Sequence, residues 1–282
     1  MNKEDIKFAF FGGSEVSIHV LEELKKAGMI PSLIITTPDK PKGREHVLTS
    51  PLAKSWADDN GVRVIQPAKL RDGVVEEELK KEAERKPWDV FVVASYGKII
   101  PDAILEIPKY KSINMHPSLL PELRGPSPIM TMILEDKKET GVTVMLMDAD
   151  MDHGPLLAQE KVTINEWPKV TDLERQLAVI GGKMLVDILP KWIEGEISPQ
   201  IQDHDKATFS KMVKKEEALI DLSDDDYLNY RKIMAYERFK PHFFKDDKRV
   251  IINSARFEND KLEILRVTPE GKKETDYKAI IS

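Results

Sequence analysis

Short apolar runs alternate with stretches of helical periodicity along the first half of the chain, and this alternation narrows the fold to a parallel α/β sheet. Ile6–Phe11 reads as a buried strand, Val16, Val20, Leu21 and Leu24 then fall at helical spacing up to Gly28, and Leu33–Thr37 reads as the next strand. Val62–Ile65, Val90–Ala94 and Ser112–Met115 continue the series. The expectation is a Rossmann-like, mostly parallel sheet with helices on both faces. Helical spacing returns at Ile129–Leu134 and over Leu173–Ile193, while Gly141–Met147 and Leu156–Val162 alternate like strands paired across a turn. Pro38–Pro51 is so rich in proline, glycine and charge that it predicts a long loop without regular structure.

After Trp192 the pattern loosens into a polar connection, Gly195–Lys206, followed by strand-like runs at Lys248–Ile252 and Leu262–Val267. The expected division is a catalytic domain over 1–195, a linker over 196–206 and a small β-rich domain over 207–282. A length of 282 residues suits two domains.

Composition removes several classes of function. With 41% hydrophobic and 33% charged residues the chain is an ordinary globular one. No apolar run approaches the roughly 18 residues of a membrane span. The opening MNKEDIKFAFFGG lacks the basic and apolar regions of a secretory leader, so a cytoplasmic protein with no membrane partner is expected. Without cysteine there is no disulfide, no thiolate zinc site and no cysteine nucleophile. The net charge of −6 opposes wholesale nucleic-acid binding, but the charge is unevenly spread. From Lys206 onward 17 basic residues face 15 acidic ones, against 26 and 34 before it, so the C-terminal region is better able to approach a polyanion.

Rival motifs are missing: Gly12-Gly13 does not supply a dinucleotide fingerprint, and there is no Walker lysine, HExxH pair or GxSxG elbow. The six histidines are dispersed, so no metal is expected, and His153 beside Asp152 reads as a surface imidazole. The informative stretch is Ser112–Ile129, SINMHPSLLPELRGPSPI. On a strand, Asn114 and His116 point to the same side and emerge at the C-terminal edge, where open α/β sheets bind ligands. An amide beside an imidazole can donate to an oxygen that turns negative in a tetrahedral intermediate, and such donors are worth roughly 2.7–4 kcal/mol each. Four prolines between Pro117 and Pro128 stiffen the loop that follows.

This run resembles, over its whole length, the N-x-H-x-S-L-L-P…R-G signature of the 10-formyltetrahydrofolate-dependent formyltransferases. Met147–Pro155, MDADMDHGP, is similar to the family's second signature, in which the Asp before x-Gly is catalytic; that residue is Asp152. FAFFGG, TPDKPKGR, SPLAKSWADDNGVRVIQPAKLR, VVASYGKIIP and ATFSKMVKKEEALID follow, in the same order, the members that act on charged tRNA. The resemblance implies Asn114, His116 and Asp152 as the catalytic set and 10-formyltetrahydrofolate as formyl donor. It implies Ser118, Leu119, Leu120 and Pro121 as a folate-binding loop, with Lys98, Ile99 and Ile100 offering main-chain contacts to the pterin. It further implies initiator methionyl-tRNA as acceptor, approached by Lys40, Lys42 and Arg44, and a monomer without metal. Two departures stand out. Leu123 occupies a place where bacterial members usually carry an aromatic residue. The C-terminal domain reads as a truncated barrel of the oligonucleotide-binding type, with a strand pair missing between Asn253 and Leu262. That shortening keeps two other acceptors open, a small amine such as an amino sugar nucleotide, and water. A catalytically idle folate- or RNA-binding protein is the reading from a different class.

Overall fold

The computed structural model describes residues 2–42 and 47–281. Five strands, β1 (Phe8–Phe11), β2 (Leu33–Ile35), β5 (Arg63–Ile65), β6 (Val90–Val93) and β7 (Ser112–His116), run parallel. The antiparallel β8 (Glu139–Leu146) and then β9 (Leu156–Thr163) extend them to a seven-stranded sheet ordered β5-β2-β1-β6-β7-β8-β9. The chain leaves β1 toward β2 and later returns to its other side with β6. Strand order therefore reverses between β1 and β6, and a crevice opens above their C-terminal ends.

Both faces of the parallel part are covered, which is why its strands are almost wholly apolar. Ala9, Phe11, Leu33, Ile35, Phe91 and Val93 form one cluster with Val75 and Leu79 of α3 (Val74–Arg85) and with Ile104 and Leu105 of α4 (Asp102–Leu105). On the opposite face α6 (Val170–Ile193) lies against β7 and α1 (Glu15–Lys26). The approach is close enough to require glycine: a Cβ on Gly181 would stand 2.4 Å from Met115, and one on Gly182 2.7 Å from the Cβ of Glu23. Met115 thus faces α6. Asn114 and His116 face the other way, and Asn114 is in register with Val93 of β6. The short α2 (Leu52–Asp59) packs beside β2 and β5.

Pro38–Pro51 is not without regular structure: β3 (Lys40–Lys42) and β4 (Val47–Thr49) pair antiparallel within it. The ribbon is only two strands wide, so Pro41 can take part opposite Leu48 and no alternation of buried and exposed residues betrays it. Arg44 lies outside the described residues.

By internal packing the chain divides into two compact units. The first comprises Met1–Arg124, Gly141–Lys161 and Arg175–Thr208, and the second Gly125–Thr140, Val162–Glu174 and Phe209–Ser282. Within the second, β10 (His242–Lys245), β11 (Lys248–Glu258), β12 (Lys261–Pro269) and β13 (Thr275–Asp276) form an antiparallel meander. There α7 (Asp226–Ala235) packs on β11, β12 and α5 (Pro128–Leu134), and the short α8 (Lys278–Ile281) follows β13. At Asn253–Leu262, where the sequence suggested a missing strand pair, β11 runs on directly into β12. The stretch is the far end of one long hairpin, turned by Asn259 and Asp260 with φ of 51° and 59°. A register shift at Ser254 interrupts the alternation and hides the continuation from the sequence. Among the described residues no helix is long and apolar enough to cross a membrane.

Candidate active site

β7 delivers Asn114 half-buried and His116 buried to its C-terminal edge. Asp152 comes from the turn between β8 and β9, and both partners converge on one of its oxygens. Asn114 Nδ2 donates to Asp152 Oδ1 at 3.4 Å, and His116 Nδ1 stands 3.6 Å from the same oxygen. The second separation is too long for a direct hydrogen bond. His116 Nε2 lies 3.0 Å from the carbonyl oxygen of Leu123. A carbonyl only accepts, so Nε2 carries a proton and Nδ1 is the ring nitrogen left on the Asp152 side.

Backbone strain accompanies this arrangement. Leu123 has φ 56° and Asp152 φ 52°. Asp tolerates the left-handed region, but for Leu it costs on the order of 1–2 kcal/mol. That conformation turns the Leu123 carbonyl to His116 while its N–H donates to Thr208 Oγ1 at 2.9 Å. The loop before it is stapled from below. Thr143 Oγ1 donates to Ser118 O at 2.6 Å and accepts from Leu120 N at 3.1 Å, and Gln159 Nε2 donates to Leu120 O at 2.8 Å.

Of the loop residues expected to meet the donor, Ser118 and Leu120 are buried, and Ser118 Oγ donates to Glu122 O at 2.6 Å. Leu119 and Pro121 are half-buried, so these two and the main chain remain to face a ligand. Lys98, Ile99 and Ile100 follow β6 at the crevice. Lys98 Nζ donates to Pro67 O at 2.9 Å and Ala68 O at 3.1 Å, Ile100 is buried, and Ile99 is 69% exposed. Ile99 and Ile100 line a cavity of about 420 Å³ with Leu70, Arg71, Gly73 and Ala149, a volume in the range of small-molecule sites. Tyr96, in the cluster below, has its phenol pushed up to about 12 by burial. Lys40 is exposed on β3, and Lys42 ends that strand.

His153 is more than a surface imidazole. Its Nδ1 lies 2.8 Å from Asp148 Oδ2, and its ring stacks on His204 at 4.1 Å. Among the described residues no group of three or more candidate ligands could hold a metal. Sequence reading missed Leu123 as the acceptor for His116, the Thr143 and Gln159 staples, and Gln202, which reaches the Asp152 turn from the polar connection. None carries a local signal. Each acts through backbone groups that only the fold brings together.

An amide, an imidazole and a carboxylate at a sheet edge can stabilise an oxyanion and accept a proton. The formyl transferase family profile matches residues 6–189, which contain all three. The chain belongs to the formyl transferase family. It is 38% identical over 247 residues to the methionyl-tRNA formyltransferase of Geobacillus sp. (strain WCH70), covering 85% of this chain and 76% of that one. Among solved structures it is similar to the methionyl-tRNA formyltransferase from Clostridium thermocellum. The TM-score is 0.61 at 16% identity, over 96% of this chain and 99% of that one. It is also similar to the N-formyltransferase from Helicobacter canadensis in complex with folinic acid and dTDP-3-aminofucose. Here the TM-score is 0.64 at 20% identity, over 90% of this chain and 88% of that one.

Proposed function

We propose that this formyl transferase moves the formyl group of 10-formyltetrahydrofolate to the free amine of initiator methionyl-tRNA. The observation that carries the reading is the convergence of Asn114 and His116 on Asp152 Oδ1 in a chain 38% identical to a methionyl-tRNA formyltransferase. The amine nitrogen attacks the formyl carbon, a C–N bond forms, and the bond from that carbon to N10 of the folate breaks. Asn114 Nδ2–H donates to the oxygen as it turns negative, and His116 joins it only with a proton on Nδ1 as well as on Nε2. Asp152 takes the proton the amine loses, and a proton returns to the departing N10. The cavity beside Ile99 and Ile100, which the charged Arg71, Glu76 and Asp102 line together with Leu70, Pro101 and Ala149, has the size to take a heteroaromatic ring. Lys40, Lys42 and Arg44 approach the acceptor end of the tRNA. The boundaries 1–195, 196–206 and 207–282 remain our proposal for the functional division of the chain.

The second acceptor class is an amino sugar nucleotide: the Helicobacter canadensis protein, like this chain in fold over 90% of its length, is in complex with dTDP-3-aminofucose. The test incubates the protein and 10-formyltetrahydrofolate with charged initiator tRNA, with an amino sugar nucleotide, or with buffer alone. Formylation of the charged tRNA is expected. Formyl appearing only on the amino sugar, or only as free formate, would refute the tRNA reading.

A further inference from the structure

Gln202 lies beyond the 6–189 match, in a connection that reads as polar, yet it is only 3% exposed. Its Nε2 donates to the carbonyls of Asp152 at 2.9 Å and Gly154 at 2.7 Å. Its Oε1 accepts from Arg124 Nε at 3.2 Å and Nη2 at 2.7 Å. Both donors and both acceptor sites of the amide are thereby used, and Arg124 is itself buried. Arg124 directly follows Leu123, whose carbonyl receives His116 Nε2. One side chain thus joins the turn that carries Asp152 to the segment that orients His116.

The rest of the turn is pinned as well. A Cβ on Gly154 would lie 2.1 Å from the carbonyl oxygen of Leu146, so the turn sits directly on the end of β8. On its outer side the His204 ring, two residues past Gln202, stacks on His153. Gln202, however, bonds both to the Asp152 peptide and to the residue after Leu123.

We infer that Gln202 is a positioning residue: it fixes the Asp152 carboxylate against Asn114 and His116 by holding the Asp152 and Gly154 carbonyls and Arg124 together. The inference rests on the roles given to Asp152 and His116 under the proposed function. Because its contacts to the turn are to backbone carbonyls, what it controls is where Asp152 stands. Loss of the amide should lower turnover and leave substrate binding alone, since a displaced proton acceptor matters most in the transition state.

Two variants probe the amide, the first isolating its donating N–H groups. Gln202→Glu keeps the acceptor for Arg124 but turns a carboxylate toward two carbonyl oxygens, and Gln202→Met keeps the volume with neither function. Both are expected to lower kcat at least about tenfold while KM for 10-formyltetrahydrofolate and for methionyl-tRNA stays within about twofold. Amide hydrogen exchange should quicken in the peptide spanning 147–155 and stay at the parental rate elsewhere. Parental kcat, or a KM change with kcat unaltered, overturns the inference. So does exchange that stays parental or rises evenly along the chain, which would make Gln202 a general packing residue. If the parent itself does not formylate methionyl-tRNA, the proposed function fails, and exchange in 147–155 still decides whether Gln202 holds the turn.

Discussion

Asn114 and Asp152 share one long contact of 3.4 Å, and the proposed function gives both a part in the transition state, so the removal of either should be felt in kcat. In the proposed reaction Asn114→Ala deletes a donor to the developing oxyanion, and Asp152→Ala deletes the proton acceptor. Each is expected to lower kcat by at least about a hundredfold with the fold intact, as measured by steady-state turnover beside thermal unfolding. Near-parental turnover in either variant removes that residue from the site. His153 raises a separate question because it adjoins Asp152 and bonds to Asp148. Its ring face is taken by His204 and its Nδ1 by a carboxylate, an arrangement that orients a side chain without assembling a metal shell. Activity is therefore expected to be the same before and after dialysis against EDTA. A loss restored by zinc would reverse that reading.

At the scale of the element, a carboxylate organises part of the second unit. Asp136 accepts the Trp167 Nε1–H and the Tyr227 O–H, each at 2.7 Å. Burial alone would raise its pKa, but these hydrogen bonds and the charges of Lys138 and Arg231 outweigh that and hold the carboxyl below its ordinary 3.8. A depressed carboxyl gives up its proton more readily folded than unfolded, so it stabilises the fold above the unfolded value. The stabilisation is lost as pH falls through the folded one. Asp136→Ala is expected to cost roughly 1–2 kcal/mol at pH 7, after discounting for partial exposure, and the gap to the parent should close toward pH 3. Urea unfolding at the two pH values measures it; an equal gap at both would exclude the ionised carboxylate as the cause. Elements of this kind also show where the sequence is legible. The parallel strands were readable because burial on both faces leaves only apolar residues, and Asn114 and His116 because the run that carries them, at the end of such a strand, resembles the formyltransferase signature. The β3–β4 ribbon, the β11–β12 hairpin beyond Ser254 and the Leu123 carbonyl were not. Their residues answer to a pairing partner, a bulge or a left-handed turn, and none of these leaves a periodic trace.

For the whole molecule the question is how an acidic protein holds an acidic acceptor. With 26 basic residues against 34 acidic ones before Lys206, the greater part of the chain repels phosphate except where lysines and arginines cluster. Two sets are available: Lys40, Lys42 and Arg44, and, farther on, Lys211, Lys214 and Lys215. Each phosphate neutralised releases counterions, so the binding constant for tRNA should fall with salt at a log–log slope of roughly −0.7 to −0.9 per phosphate. So small a basic surplus predicts few neutralised phosphates and a shallow slope. Replacing Lys40 and Arg44 by Ala, or Lys211, Lys214 and Lys215 by Ala, should raise KM for methionyl-tRNA and flatten the slope by roughly 0.7–0.9 for every phosphate no longer neutralised. KM for 10-formyltetrahydrofolate should stay parental, because the donor is assigned to the cavity beside Ile99 and Ile100, whose described lining includes none of Lys40, Lys211, Lys214 and Lys215. Saturation curves for both substrates at two salt concentrations make the comparison. If both variants use charged tRNA as the parent does, and with the same salt dependence, phosphate binding by these lysines and arginines is excluded. The amino sugar nucleotide then becomes the better acceptor, since it would need neither cluster.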